Sequence, residues 1–313
     1  MNDAGLAATP PEEVVESGRR HDDLILVTTP SMRARRHPRA LLGLWAWETL
    51  LALLVAWPAS SLVGAAYGGA PAGDAPLWAP GGHALADMLW HEVHGVHGVL
   101  RGAELVLLAG AVAGLVPMAA LMIATAYATR DRRAAGLAQS LGGALRAFPS
   151  LMLLLVITGL AQALVVGCGA LLGGALEGWA HGGMGEARAQ QIEGVVLLLF
   201  IAAASAIGVV HDLARAAVVR FKVKSLRALA LGMRTFRLAP VSLWWSWAWR
   251  ATASVAPIAM AAGAAGRLGG RGGFALVFLA LLHQCVVLAR VALRASWLAK
   301  ALRSVDGALR RVR

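Results

Sequence analysis

Cysteine is almost absent from this chain. Only Cys168 and Cys285 occur, so no disulfide framework can hold the fold, and both sit in apolar runs where a small buried thiol is the ordinary outcome. Charge is scarce as well: Asp, Glu, Lys and Arg make up 15% of the residues against 58% hydrophobic. With a mean hydropathy of +0.65, that balance excludes an ordinary water-soluble globular chain. Lysine is the rarest charged residue, three against 26 Arg, in a chain rich in Ala and Gly; this composition points to a GC-rich bacterial genome and hence to a plasma membrane. Catalytic signatures are missing too. There is no Gly-x-Ser-x-Gly elbow and no pair of carboxylates inside an apolar run, and the Gly-rich stretch Gly266 to Gly273 lacks the GxxxxGK[ST] spacing of a phosphate loop.

What the chain does have is apolar length. Six runs, Leu41 to Val63, Leu105 to Tyr127, Leu151 to Leu172, Ile192 to Leu213, Val241 to Ala262 and Phe274 to Leu298, meet the requirement of about 20 apolar residues for a helix crossing a ~30 Å hydrocarbon layer. Strands are excluded, because an isolated strand leaves backbone groups unpaired in lipid and no ten-residue alternation of a β-barrel is present. The expected fold is therefore all-α, a polytopic integral membrane protein with six transmembrane helices plus interfacial amphipathic helices.

The cations set its orientation. Of the 29 Lys and Arg, 24 fall in the N-terminal segment, the second and fourth connections and the C-terminal tail; four, Arg101, Arg188, Arg267 and Arg271, fall in the other connections, and Arg250 lies inside a run. The positive-inside rule then places both termini in the cytoplasm and requires an even number of spans. The same distribution explains the net charge of +12 as topology and contact with anionic lipid, and makes nucleic acid a poor partner, since the charge is spread over four separate segments. The expected partners are membrane lipids, anionic on the cytoplasmic face, and other membrane proteins.

Three regions follow. Residues 1–40 form a polar, largely disordered cytoplasmic segment with Pro10, Pro11 and an acidic cluster, apart from an apolar patch at Leu24 to Val27. Its first apolar run comes too late and is too long for a cleaved signal core. Residues 41–298 form the membrane domain. Residues 299–313 form a basic amphipathic tail in which Leu298, Leu302, Val305, Leu309 and Val312 make one stripe and Lys300, Arg303, Arg310 and Arg311 the other, the pattern of a helix lying among headgroups. Similar stripes, Leu137, Leu141, Leu145 and Phe148 after the second span and Leu226, Leu229, Met233 and Phe236 after the fourth, hint at a repeated hairpin.

Within the spans, Gly110 and Gly114, Gly169 and Gly173, and Ala204 and Gly208 are small residues four apart that let backbones approach. Pro58, Pro117 and Pro257 remove backbone donors and predict kinks. Trp45, Trp47, Trp244, Trp245, Trp247 and Trp249 cluster toward the inner boundary and Trp57, Trp78, Trp90 and Trp179 toward the outer one, an interfacial aromatic belt.

Two groups of residues are candidates for chemistry. Glu48, Arg250, His283 and Arg290 are polar positions inside the spans, where each charge costs about 2.5 to 3.5 kcal/mol on the insertion scale. Glu48 and Arg250 sit in the inner halves of the first and fifth spans and are expected to pair, with Arg290 and His283 descending the sixth span toward the same layer. This group fits either a structural pair or a cluster that binds an anionic headgroup or relays a proton. The second group is Asp87, His91, His94 and His97. On a continuous helix these project one way, and a metal held there would be zinc or copper. Otherwise no cofactor is implied. His91-Glu92-Val93-His94 is one residue short of the metalloprotease HExxH. Asp212-Leu213-Ala214-Arg215 resembles the opening of the CDP-alcohol phosphotransferase motif, but the second-position Gly and the downstream aspartate pair of that motif are absent.

The expected function is a permease-like transport component or a membrane-organising protein of a bacterial plasma membrane, with no recognisable catalytic constellation. The alternatives are an intramembrane enzyme acting on lipid or polyprenyl substrates through Glu48, Arg250, His283 and Arg290, and metal sensing or delivery through the outer His-rich helix.

Overall fold

A computed structural model describes residues 24–26, 32–69, 87, 90–129, 135–268 and 273–310. The described chain is all-α apart from one short ribbon: helices α1 (Pro38–Tyr67), α2 (Val93–Ala113), α3 (Leu115–Ala126), α4 (Leu137–Met184), α5 (Glu186–Phe221), α6 (Ser225–Leu238), α7 (Pro240–Leu268) and α8 (Phe274–Arg310). The ribbon pairs β1 (Leu24–Leu26), inside the apolar patch of the N-terminal segment, antiparallel with β2 (Tyr127–Thr129). Just after it in sequence, Met32 is fully buried and its carbonyl accepts a 2.6 Å hydrogen bond from Arg303 Nη1.

Five stretches are long and apolar enough to cross a membrane: Pro38–Tyr67, Val93–Ala126, Leu137–Trp179, Ala187–Phe221 and Phe274–Leu309. The second combines α2 and α3, which break at Gly114; Pro117, one turn further on, supplies no N–H to the ladder. Arg250, Ser246 and Ser254 dilute the hydropathy of α7, which is not among the five. The amphipathic stretch from Leu137 to Phe148 and the span from Leu151 are one helix, with Pro149 inside the 48-residue α4. Residues 137–148 are accordingly the first turns of a helix about 72 Å long rather than a separate surface helix. Residues 299–310 of the tail likewise continue α8 without a break, with Leu298, Leu302 and Val305 buried in the core; Arg311 and Val312 lie outside the described residues.

Packing is uneven along the bundle. One contiguous core joins Leu44 of α1, Leu115 to Ala126 of α3, Leu151 and Leu154 of α4, Val209 to Val219 of α5, Ala228 of α6 and Val291 to Val305 of α8. All of these lie toward the ends where the cations crowd. Toward the opposite ends, large apolar side chains stay exposed, among them Leu53, Leu108, Leu160, Leu164, Leu171, Leu198 and Phe274. On α4 exposed large apolar residues run from Leu137 to Trp179, and the stretch among them from Leu153 to Leu172 covers about 28 Å along the axis, enough for a hydrocarbon layer.

Small residues make the tight crossings, as the spacing suggested. A Cβ on Gly169 would fall 2.5 Å from Phe200 Cβ, and one on Gly110 would fall 2.6 Å from Leu51 Cδ2, so these glycines close the α4–α5 and α1–α2 hairpins rather than an external interface. Helix α6 turns its small residues, Ser225, Ala228, Gly232 and Thr235, inward. Leu226, Met233 and Leu238 are left exposed, while Leu229, Leu231 and Phe236 pack against the edge of the core.

Candidate functional site

The residues that matter most are not those the spans advertised. Helix α5 is buried on all sides from His211 to Arg220, and a carboxylate on it has no access to water; Asp212 is 3% exposed. Its charge is met by donors on two helices. Arg294 grips it with both terminal nitrogens, Nη1 to Oδ2 and Nη2 to Oδ1, each at 2.8 Å. Trp297 Nε1 donates to Oδ2 at 2.8 Å, and Arg215 Nη1 donates to Oδ1 at 3.4 Å. Arg294 and Trp297 are three apart on α8 and Asp212 and Arg215 three apart on α5, so each pair shares one helical face. The arginine fork matches the carboxylate in a bidentate geometry that a point charge does not reproduce.

Three more helices close the site. Arg215 Nη1 lies 3.3 Å from Met118 Sδ of α3. Glu48 of α1 interacts electrostatically with Arg290 and Arg294, and beside it Thr49 Oγ1 donates to Gln284 Oε1 of α8 at 3.2 Å. From α4, Thr158 Oγ1 meets His211 Nδ1 at 2.7 Å and also reaches the Leu154 carbonyl at 2.7 Å. The single hydroxyl proton satisfies the carbonyl, which can only accept. The contact with the ring then requires His211 Nδ1 to carry the hydrogen. His211 Nε2, on the other side of the ring, is buried and meets no hydrogen-bond partner among the described residues, and the same holds for Arg215 Nε.

A second ion pair ties the cation-rich helix ends. Arg220 Nε donates to Asp306 Oδ1 at 3.0 Å, and Arg220 Nη1 takes the Ala126 carbonyl at the end of α3 at 3.1 Å. Tyr127 OH donates to the Val219 and Arg220 carbonyls at 2.9 and 3.2 Å. This joins α3, α5 and α8 where the ribbon begins.

The expected polar layer is therefore divided. Glu48 keeps company with Arg290 and Arg294 instead of Arg250. Arg250 is held by Ser296 Oγ at 2.8 Å and by the carbonyl and hydroxyl of Ser246, both at 2.6 Å, with its guanidinium 4.6 Å from the Trp249 ring. His283 is exposed and turns Nδ1 back to the Leu279 carbonyl at 2.7 Å. Asp212, Arg215, Arg294, Trp297 and His211 were all visible in the sequence; the signal was an ionisable pair at the end of an apolar run, facing an arginine and the one tryptophan outside the aromatic belt.

The outer His-rich segment is not assembled for metal. Among the described residues no three His, Cys, Asp or Glu side chains converge on a common point. The helical arithmetic fails because the helix is interrupted at Glu92, with φ −99° and ψ 34°, so Asp87 and His91 belong to a different turn from His94 and His97. His91 Nδ1 is 3.1 Å from Asp87 Oδ1, and His97 Nδ1 bonds the Val93 carbonyl at 2.9 Å.

No known family model, curated protein or solved structure matches the chain. Its chemistry has to be read from the buried Asp212 cluster alone.

Proposed function

We propose that this chain is a six-span protein of a bacterial plasma membrane, with both termini in the cytoplasm, and that it serves as a permease-like transport component. Helix α7 is the sixth span on this reading. Its 29 residues reach about 43 Å, its exposed Val255, Ile258 and Met260 suit lipid, and the cation distribution calls for an even number of crossings. The observation that carries the reading is the Asp212 cluster. Two arginines, a carboxylate and a histidine sit roughly 14 Å from the end of α5 at Phe221, at a depth where ionisable groups are costly and mark substrate or ion pathways. Nε2 of His211 and Nε of Arg215, which meet no hydrogen-bond partner among the described residues, give that layer polar capacity that the fold does not use.

A membrane-organising role is the second reading, and one observation favours it: Asp212 accepts from four donors and Arg220 is matched by Asp306, which is how a rigid bundle is pinned. Water access separates the two. In a chain carrying Cys168→Ala and Cys285→Ala, Thr158→Cys is the probe, treated in sealed native membranes with a thiol reagent that cannot cross lipid. A transport component exposes this position from at least one side. Failure of the thiol to react from either side until the protein is unfolded overturns the transport reading and leaves the organising one.

A further inference from the structure

Residues Ser296, Lys300 and Arg303 recur at spacings of four and three along α8, which places them on one stripe of that helix, apart from the core-facing stripe of Leu298, Leu302 and Val305. Two other segments bring cations to it. Arg250 of α7 donates Nε to Ser296 Oγ, and Arg303 donates Nη1 to the Met32 carbonyl, which brings in the adjacent and exposed Arg33. The four cations repel one another: Arg250 with Arg303, Lys300 with both, and Arg303 with Arg33.

Elsewhere in the bundle buried arginines are matched, Arg215 and Arg294 by Asp212 and Arg220 by Asp306. Here, among the described residues, no carboxylate pairs with any of the four, and Arg250 Nη2, Lys300 Nζ and Arg303 Nε and Nη2 have no acceptor. Folding has gathered like charges at its own cost and kept donors unspent. An anion that meets several of them at once removes the repulsion and fills those donors.

We propose that Arg33, Arg250, Lys300 and Arg303 form a binding site for a phosphate group at the cytoplasmic ends of α7 and α8. Three guanidinium groups and an ammonium are the donor set that phosphate oxygens take. The phosphate can come from an anionic phospholipid headgroup or from a soluble phosphorylated molecule. Exposed Val241, Trp245 and Trp249 on α7 put lipid-facing and interfacial surface beside the cations, which favours the headgroup. The proposal rests on the cytoplasmic placement of these helix ends and not on transport through the Asp212 layer, so either can fail alone.

The test uses the full chain in detergent, with three probes: phosphatidylglycerol, phosphatidylcholine of the same acyl chains, and inorganic phosphate. Binding is followed by native mass spectrometry and by the thermal midpoint. The wild type should retain phosphatidylglycerol in preference to phosphatidylcholine and melt higher with it. Lys300→Gln with Arg303→Gln should weaken that binding roughly 30-fold, at about 1 kcal/mol per interfacial cation. The same double variant should melt higher than the wild type before any lipid is added, because repulsion has been removed; a variant that merely misfolds would melt lower. Lys300→Arg with Arg303→Lys should bind as the wild type does. Arg227→Gln with Arg234→Gln, which removes two exposed cations from α6, should leave binding unchanged. Inorganic phosphate that binds and stabilises with no preference between the two lipids would support the phosphate site and assign it to a soluble ligand. Equal binding of phosphatidylglycerol by the wild type and the Gln variant, or no response to any probe, overturns the proposal.

Discussion

Asp212 accepts from Arg294, Trp297 and Arg215 while 3% exposed, so removing the carboxylate leaves Arg215 and Arg294 unmatched. Asp212→Ala should destabilise the fold by about 3–5 kcal/mol, the range for breaking a buried pair from one side. Asp212→Leu combined with Arg294→Met should cost less than the sum of the two single changes, because the double variant strands fewer charges. Thermal unfolding of the four proteins of this cycle in one detergent measures the coupling; strict additivity would mean that the 2.8 Å contacts do not stabilise the bundle. His37, immediately before α1, gives a pH signature. Partial burial, and then the charge of Arg36, hold its imidazole below the ordinary value of 6.5. The folded chain therefore disfavours protonation. This contribution to stability is fully present above pH 6.5 and is lost as the pH falls below it. His37→Gln should flatten the fall in thermal midpoint on the acid side, and an unchanged slope would assign that fall to other groups.

At the scale of elements, the crossing of α6 over α5 depends on a missing side chain. A Cβ at position 232 would lie 2.9 Å from the Ala214 nitrogen and 2.9 Å from the Val210 carbonyl oxygen, backbone atoms that cannot swing aside. Gly232→Val should therefore cost about 1–3 kcal/mol as overpacking and free α6 from the bundle, read as faster proteolysis or faster amide exchange over residues 225–238. Gly142→Val, where a Cβ meets nothing within 4 Å, is the matched control for β-branching in a helix. Helix α6 also shows where apolar spacing misleads. Leu226, Leu229, Met233 and Phe236 make a stripe on paper, but only Leu229 and Phe236 pack against the core, and the fully buried face is Ser225, Ala228, Gly232 and Thr235, because two helices approach most closely through their smallest residues. The long helices were legible as apolar runs. Their true ends were not, because Pro149 inside α4 and the cations of α8 look like boundaries when only hydropathy is read. In the folded chain, tertiary packing carries both helices past them.

For the whole molecule, the dense core at the cation-rich helix ends and the exposed apolar surface toward the opposite ends fit two different solvents. The fold class and its long apolar helices were legible because those solvents are written into composition. The candidate site was legible only in part: Glu48 and Arg290 do lie in one polar layer, yet its centre is Asp212. Apolar periodicity cannot say which of several inner-face arginines turns inward, and Arg294 looked like any other cation of the tail until α5 was set against α8. The topology is open to one decisive measurement, labelling of single cysteines in intact cells, with Cys168→Ala and Cys285→Ala as background. Gly266, at the far end of α7, and Gly307, near the end of α8, both have room for a side chain, with nothing within 4 Å of a Cβ. If α7 crosses the bilayer, Gly266→Cys reacts with an impermeant thiol reagent from outside and Gly307→Cys reacts only after the membrane is opened. If α7 stays on the cytoplasmic side and only five helices cross, the two results exchange, and the proposed six-span arrangement with both termini in the cytoplasm is contradicted.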